Sequence, residues 1–174
     1  MMFFYADPHF RHSNIIKYVG RPFNNVDEMD RTLVRKYREK VKDSDEVFFL
    51  GDFCLGGVKY KDSLERLLDK LPGQKHLILG NHDRMGAFDY TDIGFLSVHT
   101  ALEIYMNKIP TLLVHDPAIT VIAPEKLSLC GHVHNLFKHV KNTINVGVDV
   151  WDYYPVSDVD ILEYMINNHI TIKE

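Results

Sequence analysis

Short apolar runs alternate, in the first half of the chain, with longer stretches whose apolar residues recur every three or four positions. Met2 to Ala6, Glu46 to Leu50 and His76 to Leu79 are of the first kind, too short for confident helices but suited to strands buried on both faces. Between them, Ser13 to Val19 predicts a short helix capped by Ser13 and stopped near Gly20. Val26, Met29, Leu33, Val34, Tyr37 and Val41 form one helical stripe, with Asn25 and Glu28 placed as a capping pair at its start. A further helix runs from about Lys59 to Leu71, buries Leu64, Leu67, Leu68 and Leu71, and breaks at Pro72-Gly73. This order of strand, helix, strand, helix, strand predicts parallel strands joined by crossover helices.

Beyond Asp83 the pattern turns strand-rich. Phe95 to His99, Leu102 to Met106, Ile109 to Val114, Leu127 to Cys130 and Thr143 to Val148 read as strands, with a hairpin around Asn107-Lys108. Ser157 begins a final helix whose apolar members include Val159, Leu162, Met165 and Ile166. With no internal repeat, low-complexity tract or linker, residues 1–174 read as a single domain.

Composition narrows the function classes. A hydrophobic fraction of 45% and a charged fraction of 25% are those of an ordinary globular protein. A net charge of −4 argues against a general nucleic-acid or anionic-membrane surface. It leaves room for a phosphate ligand, because bound cations supply local positive charge. Cys54 and Cys130 form no Cys-x-x-Cys unit and read as reduced thiols of a cytoplasmic protein. The start of the chain has no basic lead, and no apolar stretch reaches the roughly 18 residues of a membrane span.

The candidate chemistry lies where the apolar runs stop. Asp7 and His9 end the first, Asp52 the second, Asn81 and His82 the third, while His115 follows Val114 and His132 with His134 follows Cys130. In an open α/β sheet, ligands bind at the carboxyl ends of the strands, so the fold would gather these residues on one edge. Carboxylate, imidazole and amide oxygen without thiolate suit Mn²⁺, Fe or Zn²⁺ better than a soft-metal site. No Gly-x-Ser-x-Gly supports a serine hydrolase, and no Gly-x-Gly-x-x-Gly supports a dinucleotide cofactor.

Asp7-x-His9, Gly51-Asp52, Gly80-Asn81-His82-Asp83, His115 and Gly131-His132-Val133-His134 together resemble the five ordered motifs of the calcineurin-like metallophosphoesterases, in particular their short bacterial and phage members. The resemblance implies an α/β fold, a β-sandwich of two mixed sheets flanked by α-helices, rather than a doubly wound sheet. It implies two divalent metal ions, Mn²⁺ ahead of Fe, Zn²⁺ or Ni²⁺. Asp7, His9 and His134 would hold one, Asn81, His115 and His132 the other, and Asp52 would bridge them. A hydroxide shared between the metals would attack phosphorus. His82 would act as general acid, with Asp83 orienting its imidazole. The expected activity is a phosphodiesterase acting on a nucleotide or another small phosphate ester. The alternatives are a nuclease on polymeric nucleic acid, or a non-catalytic scaffold of the same fold. Retention of all seven ligands and His82 favours the enzyme.

There are departures. Where many family members carry an Asp and then an Arg after the bridging residue, this chain has Leu55 and Gly56, which removes a phosphate grip. His12 and Arg84 are candidate substitutes as substrate contacts. Arg31, Arg35, Lys36, Arg38 and Lys40 read as a solvated helix face, with a lip for an anionic polymer as the second reading. Trp151, Tyr153 and Tyr154 read as packing under a loop before they read as a base-stacking platform. The expected partner is a small phosphate-ester substrate, with no membrane; nucleic acid is not indicated by charge, and a homodimer is compatible with the size.

Overall fold

The computed structural model describes residues 1–172 and contains two five-stranded sheets. Strands β1 (Met2–Tyr5), β2 (Glu46–Leu50), β3 (Gln74–Ile78) and β4 (Ser97–His99) are mutually parallel in sequence order. The second sheet holds β5 (Ala101–Met106), β6 (Ile109–Val114), β7 (Leu127–Cys130), β8 (His139–Val140) and β9 (Thr143–Asn145) in the order β5-β6-β7-β9-β8. A short β10 (Val156–Ser157) returns to pair antiparallel with β1. Within the second sheet β6, β7 and β9 are parallel, so both sheets present carboxyl ends of strands to the site. The two-sheet sandwich replaces the doubly wound arrangement that the early strand–helix alternation suggested.

Alternation along the strands explains why their sequences are apolar throughout. Phe3 and Tyr5 of β1, with Val47 and Phe49 of β2, face the helices; Phe4 and Ala6, with Phe48 and Leu50, face the other sheet. Neither face meets water, so no polar alternation is available. The helical layer consists of α1 (Ser13–Val19), α2 (Val26–Lys40), α3 (Lys61–Leu68) and α4 (Ala87–Asp92). Met29, Leu33 and Tyr37 of α2 and Leu64 and Leu68 of α3 are fully buried against Phe49 and Phe53. On the far side, Ile161 and Met165 of α5 (Asp158–Asn167) close the inter-sheet core. Among the described residues no helix is long and apolar enough to cross a membrane.

Local chemistry sets the element ends. The Asn25 side chain accepts from the Glu28 amide, as the capping pair predicts, while the Glu28 carboxylate turns to Asn24. Ser13 is the first residue of α1, not its cap: the cap position is His12, which gives no side-chain hydrogen bond. Gly20 does stop that helix, in the left-handed conformation. Asn107 and Lys108 both have positive φ, as a tight hairpin between β5 and β6 requires. Helix α3 ends at Leu68, although Leu71 beyond it is still buried. In α5 the stripe is shifted in phase: Ile161 is buried, while Val159 and Ile166 are exposed. Ser157 and Asp160 form a reciprocal capping box that fixes this helix start.

Candidate metal centre

Each ligand candidate sits just past the carboxyl end of a strand: Asp7 and His9 after β1, Asp52 after β2, Asn81 after β3, His115 after β6, and His132 and His134 after β7. Backbone hydrogen bonds lace these loops together, from Asp7 to Gly51, His9 to Asp52 and Gly131 to His115. The backbone is forced there. Asp7, His9, Asp52, His132 and His134 have φ of 55, 49, 52, 71 and 47°, left-handed values that cost non-glycine residues about 1–3 kcal/mol each. Close approach dictates two glycines. A Cβ on Gly51 would clash with His115 Nδ1, and one on Gly80 would clash with Asp52 Oδ1.

The donor atoms fall into two groups around one carboxylate. Asp7, His9 and His134 bring ligand atoms within 4.8 Å of one another, and Asp52, His115 and His132 do the same. Asp52 Oδ2 lies 3.3 Å from His9 Nε2 and 3.5 Å from His115 Nε2. Asn81 Oδ1 lies 3.1 Å from His115 Nε2 and 3.0 Å from His132 Nδ1, which places it in the second group. His115 Nδ1 donates to the Leu50 carbonyl at 2.8 Å, leaving the Nε2 lone pair turned inward. His134 Nδ1 is held at 3.0 Å by Asp149 Oδ2.

The electrostatics call for a cation. Burial raises the Asp7 carboxyl to about 7, with nearby Asp52 adding to the shift and His134 opposing it. Burial pushes His9 down to about 2, helped by His134 and Arg21, so its imidazole is neutral. His9 Nε2 is buried and has no hydrogen-bond partner among the described residues, although a carboxylate oxygen is 3.3 Å away. An unpartnered imidazole nitrogen, two buried carboxylates and converging lone pairs are costly alone and become favourable around divalent cations. The residues fit metal.

His82 and His12 join this group. The His82 amide donates to Asp52 Oδ1 at 2.8 Å, and its ring stands 5.3 Å from that of His9 and 5.9 Å from that of His12. His82 Nδ1 is buried without a partner among the described residues. Asp83 does not take the orienting place expected of it. Its carboxylate accepts from the amides of Gly80, Asp52 and Phe53, at 2.8, 2.8 and 3.0 Å, and so ties the loop after β2 to the loop after β3. Arg84 is exposed on that loop and makes no ion pair among the described residues. Trp151, Tyr153 and Tyr154 are each engaged elsewhere: Trp151 Nε1 donates to Asn145, Tyr153 packs on Phe23, and Tyr154 donates to Glu39. Cys54 is buried, and burial drives its thiol far above the range of a nucleophile.

Sequence reading missed Arg21, Asp149 and Asn145. Arg21 is 4% exposed, grips both Asp149 oxygens at 2.8 and 3.0 Å, and donates to the carbonyls of Asp7 and Pro8. Asn145 donates to the His134 carbonyl at 2.7 Å. The available signal was position: Asp149 follows β9 much as Asp52 follows β2.

Comparison with known proteins bears on this arrangement. The calcineurin-like phosphoesterase family matches residues 3–161. An uncharacterised protein of Methanocaldococcus jannaschii, MJ1445, is 34% identical, covering 97% of this chain and 92% of its own. The crystal structure of AQ665 from Aquifex aeolicus, a protein of unknown function, has a TM-score of 0.75 at 27% identity, over 94% of this chain and 98% of that one. An archaeal phosphodiesterase shares the fold, with a TM-score of 0.52 at 16% identity over 84% and 82%.

Proposed function

The chain belongs to the calcineurin-like phosphoesterases, and on that premise we propose that it is a dinuclear phosphodiesterase acting on a nucleotide or another small phosphate ester. The observation that carries this reading is the single Asp52 oxygen standing 3.3 Å from His9 Nε2 and 3.5 Å from His115 Nε2, between the two ligand groups. Asp7, His9 and His134 would hold one cation, Asn81, His115 and His132 the other, and Asp52 would serve both. Mn²⁺ is the expected ion, since oxygen and imidazole donors without thiolate suit it. Bound there, two such ions supply a strong nucleophile at neutral pH and neutralise charge on the phosphoryl group.

The chain's own residues do the rest. His82 Nε2 delivers a proton to the leaving-group oxygen, and the hydrogen bond from its amide to Asp52 keeps the ring over the reacting edge. Asp83 acts as a positioning residue through the loop it ties. His12, 8% exposed and beside His82, lines the substrate's approach. Diester preference follows from the lack, among the described residues, of a buried cation free to grip phosphate, with exposed Arg84 the candidate contact on the His82 loop. Arg21 is spent on Asp149 and two carbonyls, and Leu55 and Gly56 offer no grip for a dianionic monoester. Two free buried thiols fit a reducing compartment, the cytoplasm.

The test is hydrolysis of bis-p-nitrophenyl phosphate against p-nitrophenyl phosphate after chelation and re-addition of Mn²⁺, with metal counted per chain. Turnover of the diester above the monoester, at two ions per chain, is the expected result. A monoester preference overturns the diester reading, and one ion or none overturns the dinuclear centre.

A further inference from the structure

Between α2 and α3, away from the metal ligands, runs a groove of about 1030 Å³. Its walls carry six cations, Arg11, Arg31, Arg35, Arg38, Arg66 and Lys70, in a chain whose net charge is −4. Three carboxylates, Asp30, Glu39 and Asp69, oppose them. Among the described residues Arg35 alone of these cations has a carboxylate partner, Glu39. Asp30 accepts from the Arg11 backbone amide, and with all three carboxylates ionised the groove still keeps an excess of three positive charges. Lys36 of the same helix turns to Asp152, which leaves the arginine ridge facing the groove.

We infer that this groove binds the phosphate backbone of a single-stranded nucleic acid. Five of the six cations are arginines, whose planar fork matches phosphate oxygens in pairs. Arg31 and Arg35 are one helical step of about 6 Å apart along α2, the scale of neighbouring phosphates on a strand. Val34 and Leu67 are its apolar lining, and no aromatic ring lines it, so recognition goes through the backbone and is independent of sequence. Arginine forks pair with carboxylates as well, so an acidic peptide is the competing occupant, for which polyglutamate stands in the test. Arg11, one of the groove's cations, follows His9 by two residues in the chain. A bound strand would therefore lead toward the metal edge, a link that rests on the proposed activity, whereas binding itself does not.

Anisotropy of a fluorescein-labelled oligo-deoxythymidylate, titrated with the whole protein in chelator at low salt, tests the binding. The triple variant Arg31→Gln, Arg35→Gln, Arg38→Gln should lose at least roughly tenfold in affinity, and its log–log salt slope should flatten by about 2, three contacts at ~0.7 each. Arg66→Glu, on the opposite wall, should weaken binding independently. A charge-matched variant at exposed positions elsewhere, Lys42→Gln, Lys108→Gln, Lys141→Gln, should bind as the wild type does. All should cleave bis-p-nitrophenyl phosphate at the wild-type rate. Absence of binding by the wild type, equal losses in both triple variants, or displacement by polyglutamate as effective as by unlabelled oligonucleotide would each overturn the inference. Failure of diester cleavage in the wild type, with binding intact, would instead strike the proposed activity.

Discussion

The two ligand groups that meet at Asp52 are built in contrasting ways. Asp7 and His9 are 0% and 1% exposed, and His134 beside them is braced by Asp149, itself gripped by Arg21. In the other group Asn81 and His132 are exposed, and only His115 is buried, held by one backbone carbonyl. Layers of support fix the first group before any cation arrives. The second keeps open coordinating atoms toward solvent, where ions exchange and a phosphate ester can approach. Rigidity on one side and access on the other are what a hydrolytic metal pair needs.

The largest expected effect removes the element common to both groups. Asp52→Asn should weaken both cations and cut turnover by a factor on the order of 10³ or more, because several kcal/mol of charge stabilisation go with them. Metal analysis alongside kinetics checks this; two ions retained at full affinity would deny Asp52 its shared role. Next comes His82→Ala, which should leave both ions bound and lower kcat by about 10²–10⁴. Normal turnover in that variant would end its assignment as the acid.

Much of the site was legible because each ligand terminates an abrupt feature. Asp7, Asp52 and Asn81 stand where apolar runs stop, and such endings point to strand ends whatever the topology. The sandwich was not legible from period alone, since runs buried on both faces look the same in a doubly wound sheet. Strands β8 and β10 have two residues each and leave no periodic trace. Arg21 read as a loop residue because its burial depends on a partner 128 positions away. Asp83 adjoins His82 in sequence, yet its carboxylate binds loop amides. The groove cations were visible singly, but net charge averages over the chain and conceals a local excess.

A sharper probe of the contrast is Asp149→Asn. Loss of the carboxylate behind His134 should reduce affinity at the buried group by about 10- to 100-fold and leave the open group unchanged. Competitive titration with a chromogenic chelator resolves the two affinities, and thermal denaturation of the metal-free variant separates a ligand effect from general loosening. Equal weakening at both groups would mean that Arg21 and Asp149 brace the whole edge.

The smallest effect, and the most diagnostic, is pH. Asp7 titrates near 7 in the metal-free protein because it is buried, well above its ordinary value of 3.8. Its folded pKa is raised, so its contribution to stability is complete below about pH 4 and is lost as pH rises through about 7. A cation reverses that loss by replacing the proton. His134 is also raised, despite its burial, by the hydrogen bond to Asp149 and the charge of Asp7, so a second proton can stand in the same group. His115 in the open group is shifted the other way, lowered by burial. Affinity at the buried group should therefore climb by about tenfold per pH unit below 7 for the Asp7 proton alone, and more steeply than at the open group. Calorimetry of Mn²⁺ binding at pH 6, in buffers of different ionisation enthalpy, counts the protons released at each step. Greater release from one step than from the other would fix which group is the buried anchor; equal release from both would erase the distinction.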